Sequence, residues 1–275
     1  MSAIYRQMDR STLDAAYNNS DAVGGKAPYI DDFQARSAQL YIDQPCQRDL
    51  MYGPGPRQRF DWFPGPTANA PLLVFIHGGY WQWHVKEDFA FVAAGPLIQG
   101  FSVMLAEYTL GPEASMSAIV DEIGQLLDFI SNEAKFGGAH GAQRRYLAGH
   151  SAGGQLAAAY RGYPGVHGVL AISGVFDLEP ISLCYLNDNL ALTPEEITKC
   201  SPLRTIAPGS PTVVAVGGDE LPELIRQSTD YAQACTAAGE DVSLDLLPGR
   251  NHYSVLEELA SPNGALTAAL QRLHR

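Results

Sequence analysis

The stretch from Arg144 to Tyr160, RRYLAGHSAGGQLAAAY, constrains the fold of this chain more than any other. It opens as a short β-prone run and within a few residues becomes an Ala/Leu-rich helix former. The joint between them is Gly149-His150-Ser151-Ala152-Gly153, a G-x-S-x-G pattern. In that pattern the serine occupies a strained strand-to-helix turn that lifts its hydroxyl above the sheet. Glycines flank it because a Cβ would collide with the neighbouring strand and helix, and because the turn needs unusual backbone angles. The helix that follows aims its N-terminal N–H groups and its dipole at charge developing beside the serine. The five residues alone are a weak signal, and the strand before and helix after them give the pattern its weight.

The rest of the chain repeats that alternation. Arg48–Tyr52 and Gln58–Phe63, parted by Gly53-Pro54-Gly55-Pro56, read as a hairpin at a sheet edge. Continuously apolar runs at Pro71–Ile76, Phe101–Ala106, Val169–Ile172, Thr212–Val216 and Val242–Leu247 read as buried strands. Between them lie apolar stripes at helical spacing. One runs through Ile119, Ile123, Leu126, Leu127 and Ile130 and is closed by Gly137-Gly138; others are Leu224–Cys235, opened by Pro222 and closed by Gly239, and Ala265–Leu273. With the serine strand this makes an α/β fold, a mostly parallel eight-stranded sheet with helices on both faces, whose ligands bind beyond the carboxyl ends of the strands. One domain over residues 1–275 is expected. Residues 1–44, polar and with helix starts near Ser11 and Asp31, read as an arm or lid, and the proline-interrupted residues 178–208 as a partial cap.

Composition narrows the class. Hydrophobic residues make up 46% and charged ones 17%, enough apolar material for a sizeable core. The formal charge of −12, with no basic cluster beyond Arg144-Arg145, argues against nucleic-acid and anionic-membrane partners. Four scattered cysteines read as reduced thiols. With no apolar signal segment and no run approaching the roughly 20 residues of a membrane span, the sequence reads as cytoplasmic. A small-molecule substrate is the expected partner, and the sequence leaves a homodimer open.

A serine hydroxyl needs a base to take its proton and an acid to orient that base. The order serine, acid, histidine is the one expected after such a turn. Asp219, in Gly217-Gly218-Asp219-Glu220 at a strand end, is the expected acid, with Asp177 and the adjacent Glu220 as rivals. His252, in the loop after the last strand, is the expected base. His77 and His150, each within a glycine motif, suit structural hydrogen bonds, while His84, His140, His167 and His274 have no supporting context. The oxyanion donors are expected to be the backbone N–H groups of Ala152 and, from the loop Ile76-His77-Gly78-Gly79-Tyr80-Trp81, those of Gly79 and Tyr80. Trp81 and Trp83, with Tyr80, put aromatic rings beside that loop, able either to stack on a substrate ring or to pack the loop.

Together, His77-Gly78-Gly79-Tyr80-Trp81, Gly149–Gly153, Gly218-Asp219-Glu220 and Asn251-His252-Tyr253 resemble the kynurenine formamidases (arylformamidases) of the α/β-hydrolase fold. Leu13-Asp14-Ala15-Ala16-Tyr17-Asn18-Asn19 resembles the N-terminal stretch of bacterial members. The resemblance implies a serine hydrolase that cleaves N-formyl-L-kynurenine to kynurenine and formate, with neither metal nor organic cofactor. The alternative is a broad carboxylesterase or amidase of short acyl groups with the same triad.

Overall fold

A computed structural model describes residues 3–133, 136 and 144–275; Gly137, Gly138 and His140 lie outside these. Eight strands form one sheet: β1 (Gln47–Met51), β2 (Arg59–Phe63), β3 (Leu72–Ile76), β4 (Ser102–Ala106), β5 (Arg145–His150), β6 (Val166–Ile172), β7 (Thr212–Gly217) and β8 (Val242–Leu247). Their spatial order is β1-β2-β4-β3-β5-β6-β7-β8. The β2 strand runs antiparallel to both its neighbours, and every pairing from β4 onward is parallel. The crossovers put β3 between β4 and β5. The turn after β3 and the serine turn after β5 therefore emerge side by side at the carboxyl edge.

Alternation along each strand divides the core into two layers. Leu72, Val74 and Ile76 face one side, with Ile119, Ile123, Leu126, Leu156 and Leu224 from the helices Met116–Asn132, Ala152–Ala159 and Pro222–Ala237. Leu73 and Phe75 face the other, with Phe33, Leu259, Leu266 and Leu270 from the helices Ala27–Asp43, Glu257–Ala260 and Ala265–His274. A strand covered on both faces has no polar side to show, which is why the runs in β3, β4, β6 and β7 read as continuously apolar. The expectation of a buried strand at Val242–Leu247 fails: β8 ends the sheet, has one neighbour only, and leaves Leu244 38% and Leu246 53% exposed.

Two helical segments lie where the periodicity gives no signal: a 3₁₀ stretch, Lys86–Ala93, continuing into a short helix, Ala94–Ile98. Gly95 and Pro96 interrupt any helical pattern there, and the residues are held by burial against the helix Ala27–Asp43 and the C-terminal helices. The N-terminal residues carry three helices, Arg10–Ala16, Asn19–Ala22 and Ala27–Asp43; Leu13 and Phe33 from them, and Tyr17 at the end of the first, are buried in the core. Residues 178–208 carry the short helices Glu179–Ser182, Asn187–Leu190 and Pro194–Cys200.

Candidate active site

The β5 strand delivers Ser151 at φ 57°, ψ −117°, a conformation that costs a non-glycine residue strain and persists only where its surroundings over-determine it. Those surroundings are visible. The Ser151 N–H donates to the Ile172 carbonyl at 2.8 Å, and the Ser151 carbonyl accepts from Gly154 N–H at 2.9 Å. A Cβ on Gly149 would sit 1.9 Å from the Gly153 carbonyl oxygen, and one on Gly153 would sit 2.0 Å from the Ile76 oxygen. Both flanking glycines are thus required by the closeness with which the following helix is pressed onto β3 and β5.

The loop after β3 is also wound against its preference. Gly79, Tyr80 and Trp81 have φ of 115°, 48° and 59°. The Gly79 carbonyl accepts from the N–H groups of Gln82 and Trp83, at 2.9 and 3.0 Å, closing the loop. Among the described residues the N–H groups of Gly79, Tyr80 and Ala152 donate to no backbone carbonyl. Gly79, Tyr80 and Ser151 share the wall of one cleft of about 680 Å³, counting its open mouth.

The histidine loop closes the site. His252 Nδ1 lies 2.6 Å from Glu220 Oε2. The other carboxylate oxygen accepts from the Ser173 hydroxyl at 2.5 Å and from the Gly217 N–H at 2.8 Å. The carboxylate is fully buried and fully hydrogen-bonded. Asp219, expected to hold this histidine, does not reach it. Its N–H is pinned to the Arg250 carbonyl at 3.0 Å in the turn after β7, and the residue points to solvent. The turn sends position 219 outward, and the longer side chain at 220 folds back under it. Asp177, the other rival, pairs with Arg204 at 2.9 Å.

His150 Nε2–H donates to the His252 carbonyl at 2.8 Å, and the two rings lie 4.6 Å apart. Burial, with His252 beside it, holds the His150 pKa well below the usual histidine value, so it stays neutral and acts as a fixed donor. His77 lies between the Gly78 carbonyl (2.8 Å) and Glu107 (3.0 Å). Burial would raise the Glu107 pKa, but His77, Arg57 and the Lys86 N–H pull it below the usual value. His252 makes its side-chain hydrogen bond through Nδ1, the Ser151 hydroxyl does not cap the helix it precedes, and both residues line the cleft.

The two tryptophans part company. Trp81 is fully buried, its Nε1–H donating to Gln155 Oε1 at 3.0 Å, and it does not line the cleft. Gln155 in turn donates to the Cys200 carbonyl, so Trp81 ties the loop to the core rather than meeting a substrate. Trp83 does line the cleft and is 39% exposed. The remaining wall comes from Phe89 and His84, from Tyr185 in the segment read as a partial cap, from Tyr253 beside His252, and from Asn18, Asn19, Ser20, Lys26 and Ile30 in the segment read as an arm or lid. The segments were legible, but which of their side chains reach the cleft was not, because tertiary packing decides it. Among the described residues, one group of carboxylates has metal-like spacing: Asp49, Asp61 and Glu87. The Lys86 ammonium stands within it, 3.0 Å from Asp49 and 3.3 Å from Asp61, and supplies the compensating charge itself. No helix among them is long and apolar enough to cross a membrane.

Residues 63–165 match the family model described as BD-FAE. The chain is 28% identical to a solved Silicibacter protein described as a thioesterase, with TM-score 0.82 over 94% of this chain and 98% of that one. A hyperthermophilic esterase from Pyrobaculum calidifontis, 19% identical, superposes with TM-score 0.73 over 97% and 98%, a likeness of fold. The eight-stranded, mostly parallel sheet with helices on both faces is the α/β-hydrolase fold. A curated kynurenine formamidase of Danio rerio is 31% identical over 243 residues, 82% of this chain and 80% of its own length. With that identity over four fifths of both chains, the protein belongs to the kynurenine formamidase family and is a hydrolase of the amide or ester type.

Proposed function

We propose that the chain is a serine hydrolase that removes the formyl group from an aryl formamide such as N-formyl-L-kynurenine. The observation that carries this reading is that Ser151 and His252 line one cleft, with the His252 ring held from behind by the buried Glu220 carboxylate. Ser151 Oγ attacks the formyl carbon while His252 Nε2 takes its proton, and Glu220 accepts the Nδ1–H and balances the imidazolium that forms. The tetrahedral oxyanion is received by the N–H groups of Gly79, Tyr80 and Ala152, which have no competing backbone acceptor. His252 then gives its proton to the departing aryl amine. Water, activated by the same histidine, releases formate from the formyl-enzyme.

The cleft supports an aromatic leaving group. Tyr80, Trp83, Phe89, Tyr185 and Tyr253 put rings around it, with Tyr80 and Trp83 edge to face at 6.5 Å. The test is kcat/KM on N-formyl-L-kynurenine, formanilide and p-nitrophenyl acetate, with Ser151→Ala as control. Formamide turnover above ester turnover, reduced by about 10⁴-fold or more in Ser151→Ala, is expected. Ester turnover with no formamidase activity would leave a short-acyl carboxylesterase instead.

A further inference from the structure

The arm-side wall of the cleft holds a polar atom with nothing to bond to. Asn19 is 4% exposed and lines the cleft. Its Nδ2–H donates to the Tyr80 hydroxyl at 3.0 Å, and that hydroxyl donates to the Tyr17 carbonyl at 2.8 Å. A phenol has one proton, and a carbonyl can only accept, so the Tyr80 proton is committed to Tyr17. Toward Asn19 the phenol therefore shows a lone pair, and Asn19 must turn its NH₂ to it. This fixes the carboxamide with Oδ1 facing away, buried and without a partner among the described residues. A buried acceptor left unpaired gives up its water and recovers nothing in return.

We propose that Asn19 is a specificity-determining residue: its Oδ1 accepts a hydrogen bond from an amino group on the part of the substrate remote from the scissile acyl carbon. This deepens the formamidase reading and rests on it. The attachment points to the donor meant. Asn19 is hydrogen-bonded to the phenol end of the Tyr80 side chain, not to the backbone of the loop assigned to the oxyanion, while lining the same cleft as Ser151. The group assigned to its oxygen is therefore one along the leaving fragment rather than the scissile N–H. Lys26 lines the same cleft, with its ammonium 5.3 Å from the Trp83 ring centroid. An α-amino-acid tail brings an ammonium for Asn19 and a carboxylate for Lys26, whereas a neutral aryl chain brings neither.

The experiment compares kcat and KM for N-formyl-L-kynurenine and its desamino analogue, 4-(2-formamidophenyl)-4-oxobutanoate, in wild type, Asn19→Leu and Asn19→Asp. Wild type is expected to prefer the amine by about tenfold or more, since a site built around a substrate N–H rejects the analogue lacking it. Asn19→Leu brings the ratio close to one through KM, and Asn19→Asp, which keeps acceptor oxygens, retains the preference. Asn19→Ala serves the same purpose if the leucine variant does not fold. Equal losses on both substrates would mean that Asn19 only props Tyr80, and would overturn the inference, as would an unchanged ratio. A wild type that cleaves both formamides alike sinks this inference alone; one that cleaves neither sinks the functional reading, and the inference with it.

Discussion

Glu220 and Asp219 are neighbours in sequence and opposites in environment. One is buried under the turn with three hydrogen-bond partners, and the other stands in solvent with its backbone pinned to Arg250. Glu220→Gln keeps the shape but loses the charge that balances the imidazolium, so kcat should fall by about 10³–10⁴-fold. Asp219→Asn should leave kcat within a few-fold. The reverse ranking, measured on any substrate the enzyme turns over, would restore Asp219 as the acid. That Ser151 and His252 come to one cleft was legible because each sits in a local pattern: a strand-to-helix turn for one, a loop after the last strand for the other. Which carboxylate meets His252 was not, because both follow the same strand and only the course of the turn decides which one points inward. Trp81 and Trp83 pose the same problem. Their side chains diverge because three successive positive-φ residues twist the loop, which composition does not reveal.

At the scale of elements, the site is a consequence of how tightly the helix Ala152–Ala159 lies on β3. Gly153→Ala puts a methyl group where the Ile76 carbonyl oxygen already is, 2.0 Å away, so helix or strand must move. The expected cost is about 1–3 kcal/mol, read from the midpoint of urea unfolding, with a further loss of kcat because the displaced helix carries the Ala152 N–H. An unchanged midpoint would mean that the contact relaxes freely and that the glycine is not needed for packing. The strands and the long helices were legible because burial on both faces, or on one stripe, writes itself into periodicity. The turn of 3₁₀ helix at Lys86–Ala93 was not, since its residues answer to tertiary burial rather than to any period.

At the scale of the molecule, residues 3–44 pack onto the body. Phe33 is 1% exposed, stacked on Phe91 with centroids 4.4 Å apart, and Arg36 pairs with Glu257 near the opposite end of the chain. Phe33→Ala should therefore cost about 3–5 kcal/mol and lower the single unfolding midpoint. If the segment were a detachable appendage, the midpoint would hold and only substrate binding would suffer.

The arm also touches the loop that carries His252: Tyr29 stacks on Tyr253 at 5.2 Å and accepts a hydrogen bond from Asn251 at 2.8 Å. Residues as far as 222 positions apart in sequence thus meet at one cleft. On the proposed reading, Ser151 gains its base and a finished pocket only when both segments have docked, so loosening either one disarms the hydroxyl while leaving the sheet in place.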